Sequence, residues 1–261
     1  MTDTSTLRIS TQGHVATVAL NRPEVRNAFN DEVIAELAEA FTRLGEAPEV
    51  RAIVLMAEGP AFCAGADLNW MRRMADYSRE ENEQDADKLA FMLRTLYECP
   101  KPTIARVQGD VYAGGLGLVA CCDMAVAVET AQFCVSEVKL GLIPATISPY
   151  LIRAMGARAA HRYFLTAERF GAAEAHRLGL VHEVAAAEGL DAAVAGLVAA
   201  LTANSPNAVR ECKALVQHVA GRDITRLLID HTVKGIADIR ASDEGKEGVQ
   251  SFLQKRKAGW L

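Results

Sequence analysis

The sequence predicts a mixed α/β fold in which strand–strand–helix units follow one another and a helical part completes the chain. Short apolar runs of strand length alternate with amphipathic helical stretches over roughly the first 140 residues. The last sixty or so residues are helical in pattern. No low-complexity linker divides the chain, so we expect residues 1–200 to form an α/β core and residues 201–261 a C-terminal helical region.

The first elements have clear individual signals. Residues Leu7 to Leu20 alternate between apolar and polar and turn near Gly13, a pattern typical of a hairpin. Asn30 is a suitable cap for a helix with one apolar stripe. The branched apolar run from Ala52 to Met56 predicts a buried strand.

The later elements are predicted by the same rules. A helix is expected from about Asp67, and a long helix from Arg79 to Glu98 should end before Pro100 and Pro102. Further strands are expected at Thr103–Val107, Met124–Val128, Gln132–Ser136 and Leu180–Val184. A loop with Pro144 and Pro149 leads into another helix, and Ser205–Pro206 interrupts the helical C-terminal part.

Composition excludes several classes of protein. The formal net charge of −5 argues against a dedicated nucleic-acid binder, which would usually carry a basic face. The six cysteines form no C-x-x-C pair, the six histidines are scattered, and a metal site is therefore not expected. No apolar run reaches membrane-spanning length and the N-terminus lacks a signal layout, so we expect a cytoplasmic protein with reduced thiols and no membrane partner.

Two turns rich in small residues are the most informative feature of the sequence. Residues Ala61–Leu68 and Gly109–Leu118 each follow a predicted strand and lead into a predicted helix. The first four amides of a helix have no internal partner, so each turn offers free N–H groups. Two such turns aimed at one oxygen would form an oxyanion hole, which predicts chemistry at a carbonyl.

The second turn also matches a different pattern. Gly115 to Ala120 reads G-x-G-x-x-A, and Glu137 follows Gly117 by twenty residues, as in a dinucleotide-binding fold. The match lies in the middle of the chain, the helix after it is short, and two strands precede the acidic residue. We therefore do not favour a nicotinamide enzyme.

Glu137 is the acidic residue that we single out. It follows an apolar strand and precedes an apolar loop, surroundings that should raise its pKa toward a value useful for acid–base work. On spacing alone, a surface or ion-paired glutamate is the commoner situation. Arg22 and Arg26 are candidates for binding phosphates, although the pattern alone favours a solvated basic edge.

Several segments together resemble the crotonase (enoyl-CoA hydratase/isomerase) superfamily. They are Leu20–Pro23, Phe62–Leu68, Gly109–Asp123, Gln132–Pro144 and Glu247–Arg256. The resemblance covers nearly the whole chain and implies the ClpP/crotonase fold, a spiral of ββα turns with a C-terminal helical region that forms trimers or paired trimers. The finer pattern resembles bacterial 3-methylglutaconyl-CoA hydratases of leucine breakdown and isohexenylglutaconyl-CoA hydratases of acyclic terpene breakdown.

The resemblance also implies roles for particular residues. The amides of Ala64 and Gly114 fall where the family binds the thioester oxygen, and Glu137 falls on one of its two catalytic glutamates. The second glutamate position falls on Gly117, a departure that leaves one carboxylate to act as base and acid in turn. No metal or redox cofactor is implied, because the coenzyme A thioester is the substrate.

The expected binding residues follow from the same resemblance. The backbone from Phe62 to Ala66 should meet adenine, and Phe252 and Lys255 of a neighbouring subunit should close over the nucleotide. The full set expected to bind substrate or coenzyme A is Arg22, Arg26, Phe62, Ala66, Asp67, Leu68, Tyr112, Phe252 and Lys255. A distal carboxylate on the acyl group could be anchored by Arg72, Arg73, Arg94 or Tyr112.

The predicted reaction is reversible hydration of a branched α,β-unsaturated acyl-CoA. Two alternatives stay open at this point. A single-glutamate enoyl-CoA isomerase would move a proton between C2 and C4 and would need no bound water. A related hydratase binds RNA, but the acidic balance of this chain argues against RNA binding as its main role.

Overall fold

The computed structural model describes residues 2–3 and 6–261, which form two sheets and ten α-helices. The strands are β1 (Thr2–Asp3), β2 (Leu7–Gln12), β3 (Val15–Leu20), β4 (Ala52–Ala57), β5 (Ala61–Cys63), β6 (Thr103–Val107), β7 (Asp110–Tyr112), β8 (Met124–Val128), β9 (Gln132–Cys134), β10 (Phe170–Gly171) and β11 (Glu183–Ala185). The helices are α1 (Asp31–Glu46), α2 (Leu68–Met74), α3 (Arg79–Tyr97), α4 (Gly114–Cys121), α5 (Ser148–Thr166), α6 (Ala172–Arg177), α7 (Leu190–Thr202), α8 (Pro206–Val219), α9 (Arg226–Ala241) and α10 (Asp243–Leu253).

From β4 to β9, consecutive strands alternate between the two sheets. The seven-stranded sheet has the order β1-β2-β3-β4-β6-β8-β11, and the four-stranded sheet has the order β10-β9-β7-β5. The pairs β4/β5, β6/β7 and β8/β9 each place their first strand in the large sheet and their second in the small sheet, and a helix follows each pair. This is the predicted spiral of strand–strand–helix turns.

Most predicted elements are confirmed. The hairpin pairs Leu7 with Leu20, and the Asn30 side chain caps α1 by accepting from the amide of Val33 at 2.9 Å. The last predicted strand is shorter than expected and lies further along the chain, at Glu183–Ala185 instead of Leu180–Val184. The two small-residue turns contain three-residue strands, β5 and β7, that the sequence analysis did not separate from the turns.

The core lies between the sheets and the helices that cover them. Its largest fully buried side chains include Phe29, Phe41, Phe62 and Phe133, and α1 packs against α3 on one side of the large sheet. Burial of aromatic and branched side chains on this scale is the dominant favourable term in folding.

The C-terminal helices bury little of their own surface within this chain. Only Leu228 is buried in α9 and only Ser251 in α10, while α8 has no buried residue. Their exposed large apolar side chains are Leu215, Val216, Leu227, Ile229, Val233, Ile236, Val249, Phe252 and Leu253. Among the described residues no single helix has the length and apolarity to cross a membrane.

A buried ion pair fastens α8 to the large sheet. Lys213 Nζ lies 2.8 Å from Asp123 Oδ2 and also donates to the carbonyl of Lys101 at 3.1 Å. The same Asp123 oxygen accepts from the amide and the hydroxyl of Thr103. The Lys213 side chain is only 8% exposed, so these partners replace the hydrogen bonds that its ammonium group would make to water.

We expect Lys213→Met to lower the free energy of unfolding by about 2 kcal/mol, because it leaves the Asp123 carboxylate without its cation in a largely buried setting. Urea denaturation followed by circular dichroism measures the change. The matched control is Arg226→Met, because Arg226 forms an exposed ion pair with Asp230 on α9. An equal loss in both variants would contradict the assignment of Lys213 as the anchor.

Candidate functional site

Three parallel strands of the small sheet bring the predicted site segments to one edge. β5 pairs with β7 and β7 pairs with β9, both in parallel register. Their carboxyl ends therefore lie side by side, and they lead into the first turn, the second turn and Glu137. Ligands of open α/β sheets commonly bind outside the carboxyl ends of parallel strands.

The two turns are in direct contact, and a glycine in each turn lets them approach this closely. A Cβ added to Gly115 would lie 2.8 Å from the Cβ of Cys63, and one added to Gly65 would lie 3.1 Å from the Cβ of Ala113. Gly65 also has a φ of +93°, which side-chain-bearing residues rarely adopt. The glycines are thus required for backbone contact between the turns.

The structure corrects the first predicted oxyanion donor. The amide of Ala64 donates to the carbonyl of Arg26 at 3.0 Å, so it is not free to bind a ligand. Ala66, two residues after Ala64, lies opposite Phe29 in a parallel bridge. The amide of Phe29 donates to the carbonyl of Gly65, and the amide of Asp67 donates to the carbonyl of Phe29, each at 2.7 Å. This parallel bridge directs the N–H of Ala66 away from Phe29.

Ala66 and Gly114 each present a free amide at this edge. Within residues 2–3 and 6–261, the Ala66 amide has no hydrogen-bond partner. Gly114 is the first residue of α4, so its N–H has no partner inside the helix. The preceding amide, that of Ala113, donates to the carbonyl of Cys134 and holds the turn against β9.

Phe29 positions both amides, and sequence analysis missed it. Its backbone makes the bridge to Ala66, and its ring lies 2.7 Å from the position of a Cβ on Gly114. The side chain is 1% exposed. No signal in the sequence separated this phenylalanine from ordinary core residues, because its role depends on contacts between distant segments.

Arg22 and Asp67 support the first turn from within. Asp67 caps α2 by accepting from the amide of Asn69 at 2.8 Å, and it pairs with Arg22 at 3.0 Å. Burial opposes ionisation of Asp67, but these hydrogen bonds and the guanidinium hold its pKa below the usual value. Arg22 also donates to the carbonyl of Ala28, so its guanidinium is already engaged within the chain, and its binding of phosphate stays a prediction.

Glu137 lies beyond the end of β9 with one carboxylate oxygen unpaired. Its Oε2 is buried, and no partner for it exists in the part of the chain that the structure describes. Burial raises the pKa of Glu137, while the backbone amides of Glu137 and Ser136 partly offset the rise. The expected direction of the shift is confirmed. A raised pKa makes the carboxyl a stronger base when ionised and keeps it available as an acid when protonated, as acid–base catalysis requires.

Gly117 cannot carry a second carboxylate in this packing. A Cβ at this position would lie 2.4 Å from Cγ2 of Ile147 and 3.2 Å from Cδ2 of Leu93. Ile147 and Leu93 are both fully buried, so neither side chain can move into solvent. Glu137 therefore has no acidic neighbour from α4.

The remaining predicted binding residues lie in three places. Tyr112 and Arg26 line a cavity of about 530 Å³ beside Ala64, together with Arg169, which sequence analysis missed. Phe62 is fully buried and can offer only backbone, whereas Leu68 is exposed. Phe252 and Lys255 lie at the end of α10, which packs on α8 and α9, and their contribution to a neighbouring subunit stays a prediction.

The arginines considered for a distal carboxylate have other partners. Arg73 pairs with Asp31 and Arg94 pairs with Glu98, both at exposed positions, and Arg72 donates to the side chain of Asn69. Among the described residues, no group of three or more histidine, cysteine, aspartate or glutamate side chains could hold a metal ion.

Comparison with known proteins places this geometry in a family. The profile described as enoyl-CoA hydratase/isomerase matches residues 10–261. A crystal structure of an enoyl-CoA hydratase from Shewanella pealeana ATCC 700345 is 44% identical, with a TM-score of 0.95 over 98% of this chain and 96% of that one. An enoyl-CoA hydratase structure from Mycobacterium smegmatis is 37% identical, with a TM-score of 0.93 over 98% and 99% of the two chains. The crotonyl-CoA hydratase of Syntrophomonas wolfei is 32% identical over 95% of this chain and 94% of its own length.

We expect Glu137→Gln to be more stable than the wild type at pH 7 but not at acidic pH. Because the folded pKa is raised, the stability associated with the protonated carboxyl is present below the ordinary value of 4.5 and is lost as pH rises through the folded pKa. Denaturation at a series of pH values measures the difference. Glu188→Gln, at an exposed position, is the control, and a gain that does not depend on pH would contradict the prediction.

We expect Gly117→Ala to lower stability by about 1–3 kcal/mol, because the added methyl overlaps Ile147. In Gly117→Ala/Ile147→Ala the loss should be smaller than the sum of the two single losses, as a double-mutant cycle measures. Gly196→Ala in the middle of α7 is the control, because a Cβ there meets nothing within 4 Å. This substitution should raise the free energy of unfolding by roughly 0.5–1 kcal/mol. Additive losses at 117 and 147 would show that the two residues do not compete for space.

Proposed function

The chain belongs to the enoyl-CoA hydratase/isomerase family, and we propose that it catalyses reversible addition of water to a branched α,β-unsaturated acyl-CoA. The observation that carries the proposal is that the neighbouring parallel strands β5, β7 and β9 lead, at one edge of the small sheet, into two free amides and one buried carboxylate. Its substrate is a thioester, whose carbonyl oxygen gains negative charge when C2 or C3 reacts.

The amides of Ala66 and Gly114 bind that oxygen. Preorganised N–H donors stabilise charge as it develops, and the loss of one such donor typically costs about 3–4 kcal/mol of transition-state stabilisation. Gly114 is also at the positive end of α4, which adds to the field at the oxygen. The contact between the glycine-rich turns keeps both donors in place before substrate binds.

Glu137 moves the proton. As a base it takes a proton from water, whose oxygen adds to C3 while the π electrons move onto C2 and the thioester oxygen. As an acid it then returns the proton to C2, so that one water is added across the double bond. Its raised pKa suits both steps, because the ionised form is poorly stabilised and the protonated form is a competent donor.

A substrate with its own distal carboxylate compensates for the missing second acid. Position 117 is closed by Ile147, so no protein carboxylate from α4 orients the water. A 3-methylglutaconyl or isohexenylglutaconyl group brings a carboxylate that can accept a hydrogen bond from that water. We therefore favour 3-methylglutaconyl-CoA, an intermediate of leucine breakdown, or its isohexenyl counterpart from acyclic terpene breakdown.

We also propose that the enzyme works as a trimer or as paired trimers. The exposed apolar side chains of α8, α9 and α10 are numerous for surface helices, and burial between copies would remove them from water. In that arrangement Phe252 and Lys255 of a neighbouring copy close over the nucleotide of coenzyme A. Arg26 contributes charge for its phosphates, whereas Arg22 is paired with Asp67.

The closed position 117 also favours a second candidate, an enoyl-CoA isomerase. Such an enzyme takes a proton from C2 and returns it to C4, while the double bond moves from C3–C4 to C2–C3. One carboxylate is enough, and no water needs to be activated. The same two amides would stabilise the dienolate formed between the two proton transfers.

Steady-state rates on three substrates separate these candidates. We expect hydration of 3-methylglutaconyl-CoA to be faster than that of crotonyl-CoA, with little conversion of 3-hexenoyl-CoA to the 2-enoyl ester. Glu137→Gln should lower kcat by about 10³-fold, because general acid–base catalysis contributes on that order, while titration of the ester shows retained binding. The exposed Glu188→Gln is the control.

Three outcomes would contradict the hydratase proposal. Fast formation of the 2-enoyl ester from 3-hexenoyl-CoA without hydration would favour the isomerase. Hydration retained in Glu137→Gln would remove that residue from the mechanism. A salt-dependent affinity for RNA without turnover of any acyl-CoA would favour an RNA-binding role.

A further inference from the structure

Arg169 immediately precedes β10, and the proposed reaction assigns it no role. Its guanidinium carbon is 5.4 Å from the centre of the Tyr112 ring, a cation–π contact that orients the side chain. Both residues line the cavity of about 530 Å³ beside Ala64, which Arg26 also lines. This volume is within the range of small-molecule binding sites.

The charges around this cavity are not balanced by the protein. Neither Arg26 nor Arg169 has a carboxylate partner in the described part of the chain. Asp110 is the acidic residue in the cavity wall, and its Oδ1 accepts from the amide of Gln132 at 3.1 Å. Two guanidinium groups and one carboxylate leave a positive cavity beside the first turn.

A nearby arginine shows what a purely structural counterpart looks like. Arg162 also lies over a tyrosine, 5.2 Å from the centre of the Tyr163 ring. Unlike Arg169, it donates two hydrogen bonds to Glu168, at 2.6 and 3.1 Å. Its charge is thus satisfied within the protein, whereas the charge of Arg169 is held in position without an anionic partner.

We propose that Arg169, held by Tyr112, binds an anionic group of the acyl-CoA substrate. A guanidinium presents paired N–H donors that match two oxygens of a phosphate or a carboxylate. The cavity wall includes Ala64, two residues before the free amide of Ala66, so the cavity adjoins the turn at which we propose that the thioester binds. This inference rests on the proposed function, since it requires an acyl-CoA ligand.

Two parts of the substrate carry this oxyanion chemistry. The phosphates of coenzyme A are present in every acyl-CoA, whereas a distal carboxylate is present only in glutaconyl-type esters. Arg169 acts by binding in either case, and it does not touch the atoms that react. Its loss therefore raises KM and leaves kcat almost unchanged.

The test compares Arg169→Met with the wild type on crotonyl-CoA, crotonyl-pantetheine and 3-methylglutaconyl-CoA. We expect KM to rise about tenfold for at least one ester, the size of effect typical of a hydrogen bond to a charged group, with kcat within about twofold. A rise for both coenzyme A esters but not for crotonyl-pantetheine assigns the phosphates. A rise for 3-methylglutaconyl-CoA alone assigns the acyl carboxylate.

Arg162→Met is the matched control, because it removes an arginine from a tyrosine ring in the same part of the chain. The inference is overturned if Arg169→Met equals the wild type on all three esters, or if KM rises equally for all three. If the wild type turns over none of them, the proposed hydratase function fails. In that case calorimetric titration with coenzyme A and with 3-methylglutaconyl-CoA makes the same comparison, and equal affinities of wild type and variant overturn the inference.

Discussion

Close contact between two turns, made possible by one glycine in each, is the constraint on which the site depends. A Cβ on Gly115 would overlap the Cβ of Cys63, whereas a side chain on Gly65 would crowd Ala113 and strain a backbone with positive φ. The parallel strands β5 and β7 bring the turns to the same edge, and the Phe29 bridge fixes one turn relative to the other. Because both donors are backbone groups, their positions are set by the fold and not by rotamers, which is the condition for preorganised stabilisation of charge.

The two carboxyl groups of this region show how environment divides roles. Asp67 accepts from backbone amides and from Arg22, and these contacts hold it ionised despite its burial. Glu137 has a buried oxygen without a donor, so its ionised form is disfavoured. One group is therefore a fixed structural anion at the start of α2, whereas the other can exchange a proton.

Much of the fold could be predicted from the sequence, because its signals are local. The alternation in residues 7–20, the cap at Asn30 and the branched run from Ala52 predict elements that the structure confirms. The identity of the free amide could not be predicted in this way. Ala64 and Ala66 look equivalent in sequence, and only the hydrogen bond from Ala64 to Arg26 distinguishes them. Phe29, Ile147 and Arg169 were missed for the same reason, since their neighbours are distant along the chain.

The packing of Ile147 against Gly117 has a consequence for how this sequence can change over generations. A carboxylate at position 117 is incompatible with the methyl that now occupies its space, and loss of that methyl alone opens a void in a close-packed interior. Each single step is thus harmful by itself, and the pair of changes should cost less than the sum of the two, which is epistasis in its simplest physical form. In proteins that keep Gly117 and Ile147 together, the packing of the hydrophobic core therefore opposes the gain of a second carboxylate at position 117. This constraint acts independently of any selection on the reaction.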